Sequence, residues 1–193
     1  MEKLERYAKE NNIPIMQKDG IVYLCDYIRN NNIKNILEIG SAIGYSSIMM
    51  ANISNDIHVT TIEKDEDRYN IAVNNINDYG FSKQINILLG DASDYSFDNK
   101  FDLIFIDAAK GKNTFFFEKF KDNLNIGGTI ITDNLSFHGL VEDDNLVKTK
   151  NQRGIVNKIK SYIEYLDNNS EFVSFYVEVG DKIAISKRRD INE

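Results

Sequence analysis

Five short apolar runs in this sequence end in a carboxylate or in a carboxylate–amide pair. Run 35–39 carries Glu38 just before Gly40, and run 58–62 is followed by Glu63. Run 85–89 is followed by Gly90-Asp91-Ala92, run 102–106 by Asp107, and run 128–132 by Asp133-Asn134. One or two such acids would be ordinary loop and helix-cap residues; five at equivalent places favour one shared site. Asp107, Asp133 and Asn134 offer three oxygen ligands, a donor set that suits Mg²⁺ or Ca²⁺. Neither histidine is placed with them, so zinc is not expected. Lys110 follows Asp107 by three residues. A lysine beside a cation is pushed towards its neutral form and can take a proton; the bland alternative is a solvated surface lysine and two loop-capping aspartates.

The first of these runs opens into Glu38-Ile39-Gly40-Ser41-Ala42-Ile43-Gly44-Tyr45-Ser46. Its glycines let a backbone approach a ligand closely. The spacing is G-x-x-x-G, which is neither the G-x-G-x-x-G of dinucleotide folds nor a P-loop, so a pyrophosphate turn is not supported. Glu63 lies 23 residues after Gly40, where an acid reaching ribose hydroxyls is expected.

The elements that must hold these residues follow from the apolar pattern. The runs are near-continuous in Ile, Leu and Val, as in parallel strands covered on both faces. Helical patterns at 44–53, 65–79 and 113–123 separate them, and the second stops at Gly80. The alternation predicts a doubly wound α/β sheet, in which ligands bind beyond the carboxyl ends of the strands. Residues 1–32 read as two helices broken around Pro14. Residues 142–168 read as a charged entry and a helix carrying Ile155, Ile159, Ile163 and Leu166. The tail reads as a hairpin, 171–179 and 182–186, turning at Gly180-Asp181. Phe115-Phe116-Phe117 is expected to pack in the core.

The chain has 193 residues, 42% of them hydrophobic, enough for one domain with a full core. We expect a single domain over 1–193, with 1–32 as a helical cap on an α/β core over 33–193. One cysteine and one proline exclude a disulfide-stapled or collagenous chain. There is no apolar run of membrane-spanning length, and MEKLERYAKENN lacks the apolar stretch of a secretory leader. A cytoplasmic, membrane-free setting is the expectation. The formal net charge of −7 gives no global attraction to nucleic acid, so any such contact needs a local basic patch.

Four stretches, LEIGSAIGYSS, TIEKDEDRYNIAVNNI, FDLIFIDAAKGKNTFFFEKF and GGTIITDNLSFHGLV, resemble the class I S-adenosylmethionine-dependent methyltransferases, in particular the cation-dependent O-methyltransferases of the catechol and caffeoyl-CoA type. The resemblance runs from about residue 12 to 186. It implies a Rossmann-like, seven-stranded, mostly parallel sheet with a terminal antiparallel hairpin and helices on both faces. It further implies S-adenosylmethionine and Mg²⁺ as cofactors and a homodimer. The residues implied at the cofactor are Met16, Glu38, Gly40, Gly44, Ser46, Glu63, Asp91, Ala92 and Asp107. Asp107, Asp133 and Asn134 would hold the metal. Lys110, with Asp107, would be catalytic, the lysine as general base.

Within that family the lead-in NNIPIMQ, DAAKG, the DN-x-x-F-x-G-L-V stretch and the ending VGDKIAIS resemble the bacterial tRNA 5-hydroxyuridine methyltransferases, which make 5-methoxyuridine at the wobble position. Hydroxyuracil and catechol both present a hydroxyl beside a second oxygen, so the core chemistry fits tRNA or a small phenolic substrate. Lys148, Lys150 and Arg153, the tail residues Lys187, Arg188 and Arg189, and Lys110 and Lys112 are expected as a phosphate-contacting rim; a solubilising surface is the alternative. Phe137 and His138 could stack on a flipped base or line a phenol pocket. A non-catalytic or NAD-binding module on the same fold is disfavoured by the missing G-x-G-x-x-G.

Overall fold

A computed structural model of the chain describes residues 1–108 and 111–189. Its elements run α1 Glu2–Glu10, α2 Lys18–Asn30, β1 Asn35–Ile39, α3 Tyr45–Ala51, β2 His58–Glu63, α4 Glu66–Asp78, β3 Ile85–Leu89, β4 Phe101–Ile106, α5 Asn113–Phe120, β5 Leu124–Thr132, α6 Lys150–Asp167, β6 Phe172–Val177 and β7 Ile183–Arg188. The seven strands form one sheet in the order β3-β2-β1-β4-β5-β7-β6. β1 to β5 are parallel, and β7 lies antiparallel between β5 and β6.

The strands are apolar on both sides because both sides are covered. Successive residues of one strand enter different cores. Ile36, Leu103, Phe105, Ile131, Ile183 and Ile185 join Ile21, Leu24 and Ile28 of α2 and Ile48 of α3 on one face. Leu37, Ile39, Ile104, Ile106, Ile130 and Ala184 join Phe116, Phe117 and Phe120 of α5 and Ile159, Tyr162 and Leu166 of α6 on the other. α1 adds Leu4 and Ala8 to the first core.

Three sequence expectations change. β5 begins four residues earlier than the run 128–132, with a register shift opposite Phe101 and Leu103 that accommodates Gly127-Gly128. The Phe115–Phe117 run divides: Phe116 and Phe117 are buried, but Phe115 is 49% exposed, because a helix cannot turn three successive side chains inward. Helix 113–123 ends as α-helix at Phe120 and finishes in a 3₁₀ turn.

Candidate functional site

The chain order places β1 and β4 side by side while their following segments depart to opposite halves of the sheet. This is the switch point at which open α/β sheets bind ligands. The two loops nearly touch: a Cβ on Gly40 would lie 2.4 Å from the carbonyl oxygen of Asp107, and Gly40 has φ +98°. Only glycine fits both conditions. The opening above them is a cavity of about 340 Å³.

Most of the sequence-derived site residues meet there. Met16, Gly40, Ser46, Glu63, Asp91, Ala92, Asp107 and Asn134 all line the cavity. Glu38, Gly44 and Asp133 are not in its lining. Glu38 works from beneath: it is fully buried and accepts hydrogen bonds from the hydroxyls of Ser46 and Ser47 in the first turn of α3. Burial pushes its carboxyl up to about 7 despite those two donors. Gly44 is the left-handed residue that starts α3. Lys110 lies outside the described residues.

Glu63 is held rigidly at the end of β2. Its Oε2 accepts from the Ala42 N–H at 2.8 Å and its Oε1 from the Asp65 N–H at 2.9 Å. A carboxylate so fixed on a cavity wall can still accept from a pair of vicinal hydroxyls, since each oxygen has two lone pairs. Asp91 accepts from the backbone and side chain of Ser93 and pairs with Lys112 at 2.9 Å. These donors hold its carboxyl far below the usual range, the Ser93 hydroxyl most strongly.

Asp107 and Asp133 end neighbouring strands, and Asn134 joins them. Its Nδ2 donates to Asp107 Oδ1 at 2.8 Å and to Asp133 Oδ2 at 3.3 Å. The backbone at Asn134 is left-handed, φ 67°, which turns its side chain back over the strand ends. Two carboxylates and an amide thus meet in a space one small cation could share, and a half-turn of the amide presents its oxygen in place of its nitrogen.

The sequence reading missed part of the lining. Pro14, Ile15 and Tyr45 close one side; Lys64, Arg68 and Phe116 close the other. Tyr45 had a signal, since it follows Gly44 directly; the rest had none at sequence level. Tyr45 Oη also donates to Glu5 at 2.8 Å, tying α1 to the glycine loop. The proposed basic rim is only partly assembled. Lys187 pairs in register with Thr129, early in the parallel run of β5, and its ammonium lies 5.7 Å from the Tyr27 ring centroid. Arg188 donates to the Lys121 carbonyl and to Asp122. Because β7 runs antiparallel, the tail residues 187–189 end at the edge of the sheet opposite the cavity and do not border it.

This arrangement agrees with the relatives of the chain. The family model described as O-methyltransferase matches residues 1–189. A caffeoyl-CoA O-methyltransferase of Populus kitakamiensis is 27% identical over 177 residues, covering 86% of this chain and 74% of its own length. A candidate caffeoyl-CoA O-methyltransferase of known structure from Staphylococcus aureus is 40% identical, with a TM-score of 0.93 over 97% of this chain and 91% of that one. An O-methyltransferase from Bacillus cereus, solved in complex with SAH, is 26% identical, with a TM-score of 0.81 over 97% and 90% of the two chains. The chain therefore belongs to the O-methyltransferase family of the caffeoyl-CoA type. It is an S-adenosylmethionine-dependent methyltransferase, and among its described residues no helix is long and apolar enough to cross a membrane.

Proposed function

We propose that the protein is a Mg²⁺-dependent O-methyltransferase that converts 5-hydroxyuridine at the tRNA wobble position to 5-methoxyuridine, acting in the cytoplasm as a homodimer. The carrying observation is the placement of α6. The hydroxyl of Tyr162 meets Thr132, the last residue of β5, at 2.7 Å. The helix residues from Lys150 to Lys158 precede that level and project beyond the sheet edge on the cavity side, about 12 Å of helix. Lys158 lies against Gly111 of the loop after β4, its Nζ 2.9 Å from where a Cβ would stand. Between Asp144 and Glu164 the chain has Lys148, Lys150, Arg153, Lys158 and Lys160 and no acid. Only Lys160 of these is paired among the described residues, with Asp144. A cationic strip at the rim of the site, in a chain of net charge −7, suits a phosphodiester backbone.

The roles we assign to the chain's residues are those the resemblance implies, and the cavity lining supports them. Glu63 binds the ribose hydroxyls, Asp91, Ala92 and Phe116 flank the adenine, and Met16 closes over the sulfonium end. Three carboxylates, Glu63, Asp91 and Asp107, line the cavity together with three cations, Lys64, Arg68 and Lys112. Asp107, Asp133 and Asn134 would hold Mg²⁺, which supplies Lewis-acid stabilisation to the acceptor oxygen as it loses its proton. Lys110, by resemblance, takes that proton. The acceptor oxygen then forms a bond to the methyl carbon as the carbon–sulfur bond breaks, and positioning supplies much of the rate.

The second reading is methylation of a small catechol-like phenol; the caffeoyl-CoA relatives favour it. One competition decides: labelled methyl transfer with hydroxyuridine-bearing tRNA and a catechol in the same tube, with Mg²⁺ or EDTA. Label in tRNA that EDTA abolishes is the expected result. Label confined to the phenol would replace the tRNA reading and keep the metal site; label that survives EDTA would remove the metal.

A further inference from the structure

The segment after Asp133-Asn134 takes a path that L-residues rarely adopt. Phe137 (φ 50°), His138 (φ 58°) and Gly139 (φ 82°) form a continuous left-handed turn. Only the third is glycine, so two bulky residues bear the steric cost. Such a path persists only where its surroundings hold it. Leu135 and Leu140, both buried, anchor the two ends. Within the turn, the Gly139 N–H donates to Ser136 Oγ at 2.8 Å and the Val141 N–H to the Ser136 carbonyl at 3.0 Å. The shortest backbone contact comes from elsewhere in the chain: the His138 N–H donates to Asp181 Oδ1 at 2.6 Å.

Asp181 is 4% exposed and sits in the turn between β6 and β7. Its Oδ2 has no hydrogen-bond partner among the described residues; its Oδ1 takes the His138 amide at 2.6 Å and has the His138 Nδ1 at 3.7 Å, so His138 answers its burial through backbone and ring together. That turn is a stiff mount. The Asp181 and Lys182 carbonyls accept from the Ser136 and Leu135 N–H groups at 2.9 and 3.0 Å. Lys182 Nζ reaches Glu178 at 2.9 Å and Glu142 at 3.5 Å. Gly180 lies against Gly20 of α2, where a Cβ would come within 3.3 Å of the Gly20 Cα.

We propose that Asp181 is a positioning residue for methyl transfer: its buried carboxylate holds the left-handed turn 137–139, so that Phe137 and His138 form the wall for an aromatic acceptor held at Asp107, Asp133 and Asn134. The two rings stand 5.9 Å apart, three and four residues after Asn134 and just outside the cavity's own lining; Phe137 rests partly on the core, and the His138 side chain is 69% exposed. A planar ring, whether pyrimidine or phenol, gains orientation from such a wall. The inference rests on the acceptor binding over the Asp107–Asn134 group, as in the reading above, but not on that acceptor being tRNA.

The test compares Asp181→Ala, Asp181→Asn and Phe137→Ala with the native enzyme, using a hydroxyuridine oligonucleotide and a catechol in separate assays. Asp181→Ala is expected to raise acceptor KM about tenfold and lower kcat, with S-adenosylmethionine affinity within twofold of native. Asp181→Asn, which keeps an oxygen for the His138 amide, is expected to recover most of the loss. Phe137→Ala is expected to raise acceptor KM without touching cofactor affinity. Amide exchange at His138, read without any acceptor, is expected to speed up at least tenfold in Asp181→Ala. Unchanged exchange, unchanged acceptor KM, or a loss shared equally by cofactor affinity and not recovered by Asp181→Asn would overturn the proposal. If Asp181→Ala does not fold, an unchanged acceptor KM in Phe137→Ala overturns it alone. A native enzyme active only on the catechol sinks the tRNA reading and leaves this comparison intact.

Discussion

The half of the site we assign to the cofactor and the half we assign to the acceptor solve the same backbone problem differently. Around the cofactor, the left-handed positions are Gly40, Gly44 and Gly90, with Ala42 the one exception. Around the acceptor they are Asn134, Phe137, His138 and Lys182, with Gly139 and Gly180 between. In the first half the backbone itself must come close to another backbone, as Gly40 does to Asp107, and a side chain would be in the way. In the second half side chains must be presented, and the steric cost is offset by buried anchors and by Asp181. Close approach calls for glycine; presentation calls for a supported turn.

Substitutions should separate the two halves. Gly40→Ala should be the most damaging, because its Cβ would meet the Asp107 carbonyl at 2.4 Å and its φ is disfavoured besides. We expect cofactor affinity to fall more than 100-fold by calorimetry, with a clear drop in thermal stability; retained binding would show that the two loops can separate freely. Asp133→Ala should lower Mg²⁺-dependent turnover about 100-fold, the several kcal/mol that charge stabilisation by a metal supplies. Its cofactor affinity should stay within threefold, and a parallel loss of both would merge the halves into one unit.

Glu38 gives a pH signature confined to the cofactor half. Its folded pKa of about 7 lies above the ordinary 4.5, so the native state binds more protons between those values. Stability from this group is therefore full below about pH 4.5 and is lost as pH rises through 7. The difference corresponds to roughly 3 kcal/mol. Denaturant unfolding of native and Glu38→Gln protein at pH 5 and 8 should show a smaller loss in the variant; equal losses would mean that Glu38 stays charged throughout. Lys112→Ala should have the smallest effect, because the Lys112–Asp91 pair is half exposed and worth about 0–1 kcal/mol. Cofactor affinity should change less than fivefold, and less still in high salt; a larger loss would make Lys112 part of the adenine site.

Much of this was legible in one dimension. Four strand ends are marked by Glu63, Asp91, Asp107 and Asp133, because a doubly covered parallel strand is apolar until it leaves the sheet and the polar residues begin there, whereas Glu38 is a buried residue within β1. Helix α6 was readable from the spacing of Ile155, Ile159, Ile163 and Leu166. The tail residues 187–189, expected from the sequence at the rim of the site, lie away from it, since a hairpin signal does not say which neighbour a strand will join or in which direction. Their position followed only from β7 inserting antiparallel beside β5.

What the sequence alone determined, then, is the set of chemical groups, the order of elements and the family. These depend on residue type and local spacing, and local spacing is readable without coordinates. What the tertiary structure decided is which groups meet. Arg68 and Phe116 on the cavity wall, α6 beyond the sheet edge and Asp181 against His138 all join residues distant along the chain. Such contacts are set by strand order, helix overhang and packing at full density, and no local pattern records them.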